Sequence, residues 1–220
     1  MGIEPAGPVG LRESKKQETR KLISDHATRL FIAHGFEATT IAEIAASARV
    51  AKKTVTNYFA RKEDLAFDRQ EEFVAGLADT VAGRAPGESA LAALRRDFLG
   101  AVERRDPVAG FSGEVFARMI ADSPTLLARL RDLHDLREAA LARVLAADTG
   151  AAPDDITPAA VAAQLAAAHR VLFQQILDLT LAGHDDTRIA EAVTASAHRV
   201  FGLLAGSLDD YAVKQAGHGG

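Results

Sequence analysis

Apolar residues recur at spacings of three and four along nearly the whole chain, and the strict alternation of strands is missing, so the pattern predicts helices throughout. Leu22, Ile23, Ala27, Leu30 and Phe31 form the inward stripe of a first helix, which Ser14-Lys15-Lys16-Gln17 opens as a capping box and Gly35 closes. Thr40-Ile41-Ala42-Glu43 reads as a second capping box opening a short helix to about Ser47, and a third helix runs from about Ala51 to Phe59. From Lys62 a longer helix carrying Leu65, Phe67, Phe73, Val74 and Leu77 continues to the break at Arg84-Ala85-Pro86-Gly87. Five more are predicted at 88–104, 109–121, 124–147, 157–182 and 186–212. Ser123-Pro124 and Thr157-Pro158 each set a capping residue before a proline at the first helical position. The expected fold is all-α, with about nine helices. Residues 1–12 read as a flexible arm, 13–61 as a three-helix head with a helix-turn-helix, and 62–220 as a larger helical body.

Composition narrows the function classes. The 220 residues are 48% hydrophobic and 25% charged, as in a globular protein. The absence of cysteine excludes disulfides, thiolate zinc sites and cysteine nucleophiles, and it suits the cytoplasm. No apolar run reaches the roughly 18–20 residues that span a bilayer, so no membrane partner is expected. The net charge of −4 conceals an asymmetry: residues 1–62 sum to +5 and the remainder to −9. A basic head on an acidic body suits a polyanionic partner, while a solvated surface of uneven charge is the plainer alternative.

Residues 41–59 sharpen that choice. Ile44, Ala48, Val50, Val55 and Phe59 supply an apolar spine, and the small Ala45 permits a close helix crossing. Lys52, Lys53, Thr54, Thr56, Asn57 and Tyr58 are left largely outward. Lysine neutralises phosphate, hydroxyls orient on it, and asparagine can bond an adenine edge twice. These side chains suit a helix lying in the major groove of double-stranded DNA, while an ordinary short amphipathic helix with two lysines is the plainer alternative.

The stretch from about Thr19 to Leu65 resembles the tetracycline-repressor (TetR) family of transcriptional regulators. The resemblance rests on "LFIAHGFEATT", "IAEIAASARVAKKTVTNYF" and "ARKEDL". Gly35-Phe36, Thr39-Thr40, Ile44-Ala45, Val50, Thr54-Val55, Tyr58-Phe59 and Lys62-Glu63 stand at the family's spacing. It implies that 51–58 is the recognition helix, that Thr40 and Tyr58 hold phosphates, and that Lys62 touches the DNA backbone. Three residues depart from the pattern. Arg49 replaces the usual turn glycine, where a positive φ would cost about 1 kcal/mol and the guanidinium could add a phosphate contact. Ala51 replaces a capping serine, and Thr56 replaces a common tyrosine.

The body shows no comparable motif, and its length and helicity fit the family's ligand-binding and dimerisation domain. On the 157–182 helix Val161, Leu165, Leu172, Ile176 and Leu179 form one apolar stripe, and Ala162, His169 and Phe173 belong to a second. Two apolar faces need two covers, and a partner subunit is one candidate. Together with Val193, Val200 and Leu204 of the last helix, the first stripe is the expected homodimer interface; a fully internal position is the alternative. Phe98, Phe111, Phe116, Met119, His134, His169, Phe173 and Gln174 are the candidate lining of a pocket for a small apolar or amphipathic effector. No cofactor is implied. The seven histidines include no His-x-x-x-His pair, and no phosphate loop or glycine-flanked nucleophilic serine appears, so catalysis is not expected. The expected protein is a homodimeric repressor on a roughly palindromic operator, released by its effector. A ligand-independent or activating regulator, and a helical protein-interaction module, are the rival readings.

Overall fold

The computed structural model describes residues 8–215, with side chains from Ser14 onward. Among the described residues the chain forms ten α-helices and no strand: α1 (Pro8–His34), α2 (Ile41–Ser47), α3 (Lys52–Tyr58), α4 (Glu63–Ala66), α5 (Gln70–Ala82), α6 (Ala90–Glu103), α7 (Glu114–Ala121), α8 (Pro124–Thr149), α9 (Thr157–Leu181) and α10 (Asp186–Leu208). A 3₁₀ turn, Pro107–Ala109, precedes α7. The all-α expectation holds.

Several boundaries move. The expected arm lies outside the described residues up to position 7, and from Pro8 the chain is already helical. Proline suits a first helical position, and the helix runs on through Gly10. Ser14 therefore caps nothing; its hydroxyl donates to Glu18 within the helix at 3.2 Å. The helix expected from Lys62 to Arg84 is broken at Phe67–Arg69, because its two parts serve different cores: α4 packs on α1, and α5 packs on α6.

The chain divides into two compact units, one reaching Asp68 and including Met119–Leu127, the other holding Arg69–Arg118 and Ala128 onward. In the first, Ile23, Ala27, Phe31, Ile44, Val55 and Leu65 are almost wholly buried. Gly35 ends α1 at φ +84°, a backbone state that glycine adopts without strain. Ser123 donates to Glu37 at 2.6 Å and caps the Leu126 amide at 3.1 Å.

In the second unit α9 is the central helix. Its His169 meets Phe98 of α6 and Phe201 of α10, and its Phe173 meets Phe73 of α5 and His134 of α8, with ring centroids 5.3–5.8 Å apart. Gly110 lets the 3₁₀ turn lie against this helix: a β-carbon there would stand 3.2 Å from Ile176. The chain after α10 folds back, pairing Lys214 with Gly87 and Glu88 at 2.8 and 3.1 Å. Arg84, fully buried beneath it, donates to the carbonyls of Val81, Glu88 and Ala212 and to Asp148.

Candidate DNA-binding face and body cavity

The helix-turn-helix is assembled from local devices. Thr40 and Glu43 close the capping box in both directions: the Glu43 amide donates to the Thr40 hydroxyl at 3.2 Å, and the Thr40 amide to the Glu43 carboxylate at 2.8 Å. The Thr40 amide and hydroxyl, both donating to it, hold the exposed Glu43 carboxyl below its ordinary range. After α2 the Arg49 amide bonds Ala46 at 3.1 Å and the Val50 amide bonds Ala45 at 3.0 Å, with Arg49 at φ +55°. This is a Schellman turn, in which an arginine occupies the left-handed position that favours glycine. α3 then starts from Ala51, which supplies no side-chain cap. Both sequence expectations for Arg49 and Ala51 therefore have a direct structural counterpart.

α3 is held by Val55 and Phe59, both buried, and from α1 by Arg20, which donates to the Tyr58 carbonyl at 3.0 Å and lies over the Phe59 ring. Lys52, Lys53, Thr56 and Asn57 are exposed, Thr54 and Tyr58 partly so, and Thr40 and Arg49 are exposed beside them. Thr56 bonds back to the Lys53 carbonyl at 3.1 Å, so its hydroxyl is partly spent. The face can neutralise phosphates through Arg49, Lys52 and Lys53 and can offer the Asn57 amide to a base edge.

Lys62 departs from expectation. Its ammonium donates to the carbonyls of Phe36, Thr39 and Glu37 at 2.9, 3.1 and 3.4 Å and sits 4.2 Å from the centre of the Phe36 ring. An ammonium has three protons, and all three are engaged. Lys62 ties down the turn after α1.

In the second unit a cavity of about 240 Å³ lies among α5, α6, α8, α9 and the 3₁₀ turn. Of the eight expected lining residues, Phe98, His169 and Phe173 border it. His134 packs against Phe73 and Phe173 without reaching it. Phe111 is buried, with its ring near the Arg105 guanidinium, and Phe116 is half-buried on α7. Met119 belongs to the first unit. Gln174 is a correction: it is exposed and bonds Asp178 at 2.8 Å, because its position on α9 faces away from the core.

Residues that the sequence did not mark complete the wall, chiefly Arg137 and Asp97, with Glu72, Arg104 and Asp106 at the mouth. Burial, and then the charge of Arg137, push the His169 imidazole down to about 3 and His134 to about 4. Both are therefore neutral at pH 7. His169 Nδ1 lies 2.8 Å from the Leu165 carbonyl.

Much of the expected interface stripe lies inside the protomer. Val161, Leu165, Leu172, Ile176 and Val193 are buried within the protomer, and Leu179, Val200 and Leu204 pack against the same core. Most of both apolar faces of α9 is covered from inside, while Leu179, Val200 and Leu204 keep part of their area exposed. The exposed apolar groups on α9 and α10 are Val171 and Leu203, 59% and 83% accessible, with Gly202 and Gly206 facing open space beside the latter.

Comparison with known proteins bears on all of this. Residues 23–68 match the profile of bacterial regulatory proteins of the tetR family. The transcriptional regulator TcmR of Streptomyces glaucescens is 34% identical over 179 residues, covering 78% of each chain. GusR of Salmonella enterica superposes with a TM-score of 0.53 at 20% identity, over 87% of this chain and 95% of its own. SmeT, solved as a complex with triclosan, matches with a TM-score of 0.53 at 18% identity, over 92% of this chain and 98% of its own. Among the described residues no helix is long and apolar enough to cross a membrane.

Proposed function

Because this chain belongs to the TetR family of bacterial transcriptional regulators and is a DNA-binding regulator, we propose that it is a cytoplasmic, homodimeric repressor that leaves its operator when a small molecule fills the body cavity. The observation that carries the reading is the display on α3. Lys52, Lys53, Thr56 and Asn57 project from a helix whose ends are fixed by the Schellman turn and by Arg20. Thr40, Arg49, Thr54 and Tyr58 flank them. A two-fold dimer presents two such helices to half-sites about one helical turn apart, roughly 34–36 Å, so the operator is roughly palindromic. With the inner stripe of α9 consumed by the protomer, the dimer contact falls on the outer faces of α9 and α10, around Val171, Gly202, Leu203 and Gly206.

The effector enters by differential affinity. It shifts the protein only as far as it binds the released form more tightly than the DNA-bound one. The cavity wall of Phe98, Phe173 and His169 suits a small, largely apolar molecule.

Fluorescence-anisotropy titration of DNA from the region upstream of the gene, at two salt concentrations and against a scrambled duplex, tests the core of this. Tight binding to the upstream DNA that falls steeply with salt is expected. Lys52→Glu and Lys53→Glu should each weaken it and flatten the salt slope by about 1. Equal, weak binding to both duplexes would refute the operator assignment.

A further inference from the structure

Resting on the effector-responsive reading, we infer that the molecule taken by the body cavity carries a carboxylate on a flat aromatic skeleton, and that Arg137 receives it. Arg137 projects from α8 into the cavity wall. Its guanidinium lies 4.6 Å from the centre of the Phe73 ring, which covers one face of the cation but satisfies none of its N–H groups. Nε is fully buried and bonded to nothing among the described residues.

The acids around the cavity do not answer this charge. Glu72 is gripped by Arg69 through bonds of 2.6 and 2.8 Å. Asp106 caps the Val108 amide at 2.9 Å and lies 3.6 Å from the same arginine. Asp97 is exposed; its field favours the charged guanidinium without forming an ion pair. Neither histidine helps, since both are neutral and neither offers an anion.

A half-buried guanidinium whose Nε donor is buried and idle is costly, and a planar two-oxygen anion is the partner its fork fits. The remaining wall dictates the rest of the ligand. Phe98, Phe173 and the neutral imidazole of His169 offer aromatic surfaces, and Ala101 and Gly76 leave room between them. At about 240 Å³ the cavity falls just below the roughly 300 Å³ at which larger ligand sites begin, so one or two rings fit.

Calorimetric titration of the full chain with benzoate and 2-naphthoate, each against its amide and its aminomethyl counterpart, reads the preference directly. At least one acid should bind about tenfold or more tightly than its amide. Arg137→Met, which removes an unsatisfied cation and conserves the stem, should abolish that preference while the protein melts no lower than the parent. Asp97→Asn, on the exposed side, should raise acid affinity severalfold and leave amide affinity unchanged. An amide or amine that binds as well as its acid, an acid preference that survives Arg137→Met, or acids that do not bind at all would each overturn the inference. Labelled operator in a parallel titration separates the two readings. Neutral arenes that bind and release DNA keep the effector reading and sink the anion site; acids that bind through Arg137 without releasing DNA do the reverse.

Discussion

Lys62 in the first unit and Arg137 in the second are both cations laid over a phenylalanine ring, at 4.2 and 4.6 Å from its centre. The ring is where the likeness ends. Lys62 also has three carbonyls within reach, so every proton has an acceptor. Arg137 has a buried Nε facing none. A charge over an aromatic face therefore says little about purpose; what the N–H groups meet decides it. Where acceptors are supplied by the chain, the cation is a tie. Where they are withheld beside a cavity, the acceptor is to come from outside.

Arg84 extends the comparison, since it lies in the same unit as Arg137 but is saturated like Lys62. Arg84→Met should be the most damaging change. It strands carbonyls of Val81, Glu88 and Ala212 and removes the partner of Asp148, at about 3–5 kcal/mol, with a shortened melt and loss of protection in the segment after α10. A melt within experimental error of the parent would show that the buried network is dispensable. Lys62→Met should cost about 2 kcal/mol by orphaning the turn carbonyls. Operator affinity should then fall through the fold, with the salt slope unchanged; a slope reduced by about 1 would restore the phosphate role that the family resemblance implies.

The neutral histidines beside Arg137 offer a finer test. His169 and His134 titrate near 3 and 4 in the folded chain and near 6.5 when unfolded. Between those limits the unfolded state binds more protons, so their stabilising contribution is intact above about pH 6.5 and is lost as pH falls. The loss is up to about 1.4 kcal/mol per pH unit for each histidine. Denaturant melts at pH 7, 6 and 5 should show the decline, and His169→Phe should reduce its slope; an unchanged slope would contradict the buried neutral imidazole. The smallest effect belongs to the turn. Arg49→Gly should gain about 1 kcal/mol by relieving a positive φ. An accompanying loss of operator affinity would report a phosphate contact by the Arg49 guanidinium; an unchanged affinity would show that it makes none.

The helices, the turn after α2 and the exposed face of α3 were legible in the amino-acid sequence because they are set by neighbours three and four residues away. Capping at Thr40–Glu43, the strained turn at Arg49 and the uncapped start at Ala51 all follow from local hydrogen bonding. Tertiary packing decided the rest. The break between α4 and α5 arises because adjacent turns of one pattern bury themselves in different cores. The inner stripe of α9 could cover a partner or its own core with equal propriety, and only the placement of α5, α6, α8 and α10 around it assigned Val161, Leu165, Leu172 and Ile176 to the core. Lys62 and Arg137 are the sharpest case. In sequence both are cations on amphipathic helices, and nothing within a few residues tells them apart. What distinguishes them is how many carbonyls distant segments bring within three ångströms or so, and that number exists only once the chain has folded.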